Sequence, residues 1–197
     1  NYSHFRASDI YSSASDASMF LNTGWIGRFI DSQFPGAPSA YPSPTFQDPL
    51  SIEIGSVTSS VLVGSQGLNG FTISDIDNFY NITMGTVDPA PLTRGGNELT
   101  YVRFIAQQTQ AYTVRIQTAS LAGSNSVTYP TGNELADQLK IVAKLISGGL
   151  NTPVYIVTLN GFDTHSVQVD PSNHAIGYHA DLLGALSDAI GAFQLDL

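Results

Sequence analysis

PVYIVTLNGFDTHSVQVDPSNHAIGYHADLLGALSDAIGAF, residues 153–193, contains the tightest grouping of titratable side chains in the chain and sets the reading of the fold. Val154 to Leu159 is a short β-branched and aliphatic run between Pro153 and Gly161, too short for a helix, and it predicts a buried strand ending near Asn160. Gly161 then turns the chain. Asp163, Thr164 and His165 follow, where open α/β sheets hold ligands, beyond the carboxyl ends of their strands. From His179 onward the pattern is helical. At 100° per residue, Leu182, Leu183, Leu186, Ile190 and Phe193 fall within about 60° of His179, so the imidazole is expected on a single apolar stripe. His174 lies roughly 140° away on an ideal helix and is the weaker partner for the loop.

A strand running up and a helix running back down bring His179 toward Asp163 and His165. One carboxylate and two imidazoles are ordinary ligands for zinc, manganese or iron, and three ligands leave a position for water or substrate. The plainer reading of the same residues is a turn-capping Asp163, a solvated His165 and a core His179 bonded to a backbone carbonyl. Asp-x-His spacing alone does not separate the two.

Outward from this stretch, Asn133 to Ser147 predicts a helix with Leu135, Leu139, Val142, Ala143 and Ile146 inward, stopped by Gly148 and Gly149. Leu99 to Ala119 is the longest helix candidate, with Leu99, Val102, Ile105, Tyr112 and Ile116 at helical intervals. Helix, helix, strand and helix with short connections imply an α/β architecture, a largely parallel sheet flanked by helices. Residues 96–197 carry this part and the candidate site. Residues 1–95 read as a loop-rich part of the same domain, with short strands.

In that first part, a short amphipathic helix is expected around Trp25, Phe29 and Ile30, starting near Asn22 or Thr23. Arg28 on it suits either a salt bridge with Asp31 or anion binding. Pro35 to Pro49 is a loop, Ser51 to Gly64 one or two strands around Gly55, and Gly64 to Gly70 a loop without a P-loop lysine. Val61 to Val63 join the sheet or line an edge hairpin. Asp75 and Asp77 lack the further oxygens of a calcium loop, and Asn81-Ile82-Thr83 is a formal glycosylation sequon. No internal repeat is present.

Two segments, NELADQLKIVAKLISGGLNTPVYIVTLNGFDTHSVQ and HADLLGALSDAIGAF, together with Ser3-His4-Phe5, Asp9 and Gly24-Trp25-Ile26-Gly27-Arg28, resemble the bacterial family called domain of unknown function 1501. The resemblance covers both ends of the chain and is vague from about Pro35 to Gly95. It implies export by the twin-arginine route, a secreted or periplasmic location, and an alkaline-phosphatase-like fold of the phosphatase and sulfatase superfamily, whose sites hold one or two divalent metals. It also implies that Asp163, His165 and His179 are the metal ligands and that a small anionic ester is the substrate. Members carry a Gly-Gly-Asn-Asp-Gly segment upstream and Glu-Phe-Gly-Arg and Asp-His-Gly segments downstream. Neither is found between Asn1 and Leu197, so the chain resembles the family's middle. Other parts of the same protein, or another subunit, would complete the fold and site.

Composition narrows the partners. The 197 residues include 42% hydrophobic and 12% charged, enough for a substantial core beneath a surface rich in Ser, Thr and Asn. A net charge of -9 with seven basic residues excludes the clustered cations that nucleic acid or an anionic membrane would need. The chain has no cysteine, hence no disulfide and no thiolate metal site. No signal peptide or membrane-spanning run is read, and the missing initial methionine agrees with a processed or partial chain. Two functional readings stay open: part of an exported metal-dependent hydrolase of phosphate or sulfate esters, with Asp163, His165 and His179 on the metal, or a non-catalytic extracellular binding or structural protein. His4 is a further lone histidine, and neither Thr164 nor Ser166 stands out as a nucleophile.

Overall fold

A computed structural model describes residues 3–74, 94–166 and 168–197, with the side chains of 94–107 left undescribed. Asp75, Asp77 and Asn81, and the side chains of Leu99, Val102 and Ile105, lie outside that set. The chain forms two compact units, residues 1–118 with 151–156, and residues 119–150 with 157–197.

The first unit is built on a three-stranded parallel sheet, β1 (Ser51–Ile54) in the middle, β4 (Phe71–Ile73) on one side and β5 (Val154–Ile156) on the other. Its helices are α1 (His4–Ser13), α2 (Trp25–Gln33) and the described part of α3 (Arg94–Ala122) that precedes 119. A 3-10 turn (Ser60–Leu62) leads into the antiparallel hairpin β2 (Val63–Gly64) and β3 (Gly67–Leu68). The mixed α/β class with a parallel sheet and flanking helices is therefore as expected. Gly64 to Gly70, expected as a plain loop, is instead mostly this hairpin.

The alternation of Ser51-Ile52-Glu53-Ile54 decides which helix covers which face. Ile52 pairs with Phe71 and with Tyr155, and residues paired across parallel strands point the same way. This face meets α3, whose Tyr112 ring stacks on Phe71 at 5.8 Å. Tyr112, Thr113 and Ile116 recur at helical spacing and are all buried. On the opposite face, Val154 and Ile156 pack with Ile26, Ile30 and Leu62 beneath α2. The 35–49 loop adds its own small core, with Phe34, Tyr41 and Phe46 rings 5.2–6.4 Å apart.

Helix α2 starts later than expected, with Gly24 as its N-cap. The Thr23 hydroxyl, one residue earlier, accepts from Arg28 Nη1 at 3.1 Å instead of capping the helix. Arg28 makes no salt bridge with Asp31. Its Nη2 donates to the Ser13 carbonyl at 2.7 Å, an acceptor that the end of α1 leaves open, and its Nη1 to the Thr23 carbonyl at 2.9 Å. Asp31 takes the Ser65 N–H at 2.6 Å and Asn69 Nδ2 at 2.8 Å, tying α2 to the hairpin. Burial raises its pKa, but those bonds outweigh it and hold the carboxyl below the usual range.

In the second unit, α4 (Glu134–Ser147) packs on α5 (Tyr178–Asp196). Asn133 caps α4 by accepting from the Ala136 N–H at 3.1 Å, and its Nδ2 donates to the Ala185 carbonyl on α5 at 2.7 Å. Leu135, Leu139, Val142 and Ala143 are buried as expected, whereas Ile146 is exposed and Leu145 takes its place inward. Gly148 is the C-cap, as the paired glycines predict.

The stripe on α5 is rotated from the expected one. Leu183 and Ile190 are each 46% exposed, while Ala189 is fully buried and Leu186, Ala192 and Phe193 pack beside it. This turns the inward direction by roughly 80° from His179, toward the alanines. Alanines let two helix backbones approach, so close packing outranks side-chain size in choosing the face.

The far end of α5 is fastened by its last carboxylate. Asp196 accepts from Asn125 Nδ2 at 2.7 Å, the Ser126 N–H at 2.5 Å, the Ser126 hydroxyl at 2.9 Å and the Tyr129 hydroxyl at 3.0 Å. A carboxylate at a helix carboxyl end opposes the helix dipole, a penalty of a few tenths to about 1 kcal/mol. Charge-assisted bonds from four donors exceed it. Burial raises the Asp196 pKa, but the donors together depress it to about 2. A depressed carboxyl contributes stability that is full above its unfolded value and lost as pH falls through its folded one. Unfolding of Asp196→Asn followed from pH 5 to pH 2 should therefore show a shallower acid loss than wild type; parallel curves would assign the acid sensitivity elsewhere.

Candidate functional site

The paired strand ends at Ile156, short of the expected Asn160. Beyond it a side chain replaces the neighbouring strand: Gln138 Oε1 accepts from the Thr158 N–H at 2.8 Å and its Nε2 donates to the Thr158 carbonyl at 2.9 Å. The amide thus copies both halves of a ladder rung and holds the extended chain against α4. Only after this clamp does the chain turn.

Gly161 makes that turn with φ of 104°, a conformation L side chains rarely adopt. A Cβ there would also lie 2.8 Å from the Tyr178 hydroxyl. The turn sends Phe162 onto α5, where its ring meets the His179 imidazole edge-on at 5.9 Å. Asp163 and His165 then face each other, with His165 Nε2 2.9 Å from Asp163 Oδ1.

His165 sits at φ of 46°, the left-handed region, which costs a residue with a Cβ roughly 1 kcal/mol. That conformation curls the backbone so that side chains two residues apart meet instead of diverging. The Thr164 N–H donates to the Phe162 carbonyl at 3.0 Å, and the Ser166 N–H to the Thr164 carbonyl, two tight turns in succession. Both side chains of the pair are mainly solvent-exposed, 63% for Asp163 and 69% for His165.

His179 is held by its backbone, whose N–H donates to the Gln168 carbonyl at 3.1 Å. Its ring is half-buried, at the edge of the α5 stripe, and its Nδ1 is enclosed without a hydrogen-bond partner among the described residues. Among the described residues His179 does not complete a three-ligand group with Asp163 and His165 in which all ligand atoms lie within 4.8 Å. The fold therefore joins the first two of the expected trio and sets the third beside Phe162.

His174 is exposed in a separate turn organised by Asp170, whose Oδ1 accepts from the Ser172 hydroxyl at 2.5 Å, the Ser172 N–H at 2.7 Å and the Asn173 N–H at 3.1 Å. Those bonds, led by the Ser172 hydroxyl, lower the Asp170 pKa. The turn is self-contained and gives His174 no part in the pair.

As metal ligands, Asp163 and His165 fit. Two donors about 2.0–2.1 Å from a tetrahedral ion stand about 3.3 Å apart. The observed 2.9 Å is reached from there by a small rotation of exposed side chains. The unpartnered His179 Nδ1 is a nitrogen of the right kind on the next element, though outside the pair's immediate reach. A bound divalent ion would supply Lewis acidity and a water of lowered pKa.

The sequence reading passed over Glu53 and Gln138. Glu53, at the end of the central strand, is buried and accepts the Ser59 N–H at 2.6 Å; burial raises its pKa against that bond. An acid inside SIEI was the available signal. Gln138 has none, because a helix-surface glutamine looks the same whether or not it clamps a strand. No known protein-family profile, curated protein or solved structure matches the chain.

Proposed function

We propose that this chain is part of an exported, metal-dependent hydrolase of the alkaline phosphatase and sulfatase kind, with Asp163 and His165 as a ligand pair for a divalent ion such as zinc or manganese. The carrying observation is the 2.9 Å approach of an exposed carboxylate and imidazole, held by a left-handed His165. Strained backbone persists where surrounding structure or function requires it. His179, whose enclosed Nδ1 has no hydrogen-bond partner among the described residues, is the further ligand in this reading, and would join the pair only by a shift of its ring toward it. The substrate class that follows is a small phosphate or sulfate ester, whose oxygens the ion would polarise, in the secreted or periplasmic location that the family resemblance implies. Among the described residues no helix is long and apolar enough to cross a membrane.

A second reading is a non-catalytic extracellular binding or structural protein with the same scaffold. The strong exposure of both Asp163 and His165 favours it, since catalytic electrostatics gain from excluded water.

Zinc and manganese titrations followed by calorimetry and elemental analysis separate the two. Wild type is expected to bind close to one ion, and Asp163→Ala and His165→Ala each to weaken it by about 100-fold or more. His179→Ala should weaken it less than either. Equal metal in all four proteins would remove the hydrolase reading, and turnover of an aryl phosphate or sulfate by metal-loaded wild type would remove the second.

A further inference from the structure

A second candidate site lies in the first unit, far along the chain from Asp163. The last turns of α1, the 21–23 turn before α2 and the start of the 3-10 turn enclose a cleft of about 200 Å³, lined by Asp9, Ser12, Leu21, Asn22, Thr23 and Ser60 among others. It is floored by bonds already made: Ser13 Oγ donates to the Asp9 carbonyl at 2.5 Å, and Arg28 ties the Ser13 carbonyl to Thr23. By contrast, the Asp9 carboxylate, the Ser12 and Ser60 hydroxyls and the Asn22 amide carry no hydrogen bond to another described residue. They offer acceptors and donors side by side toward one small volume.

That set selects a ligand. An anion is disfavoured by Asp9, and no cation lines the cleft: Arg28 is held as described, and Arg6, whose Nη2 donates to the Asp16, Ala17 and Met19 carbonyls at 2.9, 3.0 and 2.6 Å and whose enclosed Nε has no partner among the described residues, is not a lining residue. A calcium-type ion needs six to eight oxygens at about 2.3–2.6 Å, and one carboxylate beside an arginine in so roomy a cleft does not supply them. A neutral polyol remains, each hydroxyl of which donates and accepts at once.

Exposed aromatic residues adjoin the lining residues in the chain and point to the same class, although none of them is itself part of the lining. Phe5 precedes Asp9 by one helical turn on the same face of α1 and is 86% exposed. Phe20 and Trp25 bracket the 21–23 turn at 75% and 45% exposed, and the Arg6 guanidinium sits 4.1 Å above only one face of Phe20. Rings left in water beside a polar cleft offer apolar faces for the C–H face of a sugar.

We propose that this cleft binds a neutral sugar, with Asp9 and Asn22 hydrogen-bonding its hydroxyls and Phe5 or Trp25 stacking on the ring. The chain's single tryptophan, Trp25, lies two residues past the cleft and serves as the reporter. Its fluorescence, with saturation-transfer NMR beside it, would be followed during titration with glucose, galactose, mannose, N-acetylglucosamine and their β-linked disaccharides. At least one should give a saturable signal, weakened about ten-fold or more in Asp9→Ala, the loss expected for a bond to a charged group, and about two- to ten-fold in Asn22→Ala, as expected for a neutral amide. Circular dichroism should show all proteins equally folded, since both side chains are exposed. The proposal is overturned if no sugar gives a signal by either method, if both variants bind as wild type does, or if calcium chloride alone produces the Asp9-dependent change. Metal binding at Asp163 and His165 is read separately, so either result stands without the other.

Discussion

Gly27→Ala is expected to cost about 3 kcal/mol or more of folding stability, although helix propensity favours alanine over glycine by about 1 kcal/mol. A Cβ on Gly27 would be driven into the Val63 carbonyl and to 2.6 Å from the Gly64 nitrogen. The obstacle is backbone, which cannot rotate aside. Gly24 meets the Val61 and Ser60 carbonyls in the same way, and its own N–H donates to the Val63 carbonyl at 2.8 Å. Helix α2 therefore lies directly on the 3-10 turn and β2, and the clash outweighs the propensity gain several-fold. The control has the opposite sign. Gly184 and Gly191 on α5 have nothing within 4 Å of the place a methyl group would occupy, so Gly184→Ala and Gly191→Ala should raise stability by up to about 1 kcal/mol. Urea unfolding of these three variants beside wild type checks both signs, and a neutral Gly27→Ala would mean that α2 does not press on the hairpin.

Asp48→Ala should lose about 3 kcal/mol, measured the same way. Asp48 is 4% exposed, and its two oxygens join distant segments, Oδ1 accepting from Arg115 Nε at 2.6 Å and Oδ2 from the Asn151 N–H at 3.0 Å. It thus fastens α3 and the approach to β5 onto the residues just before β1. Removing it leaves the Asn151 N–H without this acceptor and the Arg115 guanidinium without its partner, and opens a cavity where the buried carboxylate stood. The Arg115 side chain is 41% exposed and would be rehydrated, which keeps the loss below the upper range for fully buried pairs. Burial raises the Asp48 pKa, but the bonds from Arg115 and Asn151 outweigh it and lower the net value. Its contribution is then complete above the unfolded carboxyl pKa and disappears as pH falls through the folded one. The stability gap between wild type and Asp48→Ala should accordingly narrow on acidification. A constant gap would assign the loss to packing.

The contrast between α4 and α5 shows where one-dimensional reading stops. On α4 the large apolar residues coincide with the buried face, so Leu135, Leu139, Val142 and Ala143 were legible from their spacing. On α5 the apolar residues nearly surround the helix, and the direction set by Leu182, Leu183 and Leu186 lies roughly 70° to one side of Ala189, the one fully buried position on this helix. Which side faces α4 depends on how closely two backbones can approach, a property of the pair of helices. The same limit applies to Arg28, whose partners Ser13 and Thr23 were hidden behind the more obvious Asp31.

For the candidate site, chemistry was legible and juxtaposition only in part. Asp163 and His165 lie two residues apart, so a single left-handed residue suffices to join them, and the Gly161 turn advertises the bend. His179 is 14 residues past His165, beyond any local rule, and its orientation follows from Phe162 and from the rotated stripe of α5.

The order of residues alone determined the α/β class, the helix stopped at Gly148, and the residue types able to hold a metal, because these depend on periodicity and local backbone preference. Tertiary structure alone decided which face of α5 is buried, that Gln138 stands in for a strand, and that a polar cleft forms between α1 and the turn before α2. Those outcomes depend on distances between segments far apart in the chain, where packing and hydrogen-bond satisfaction choose among arrangements that local preferences leave equally acceptable.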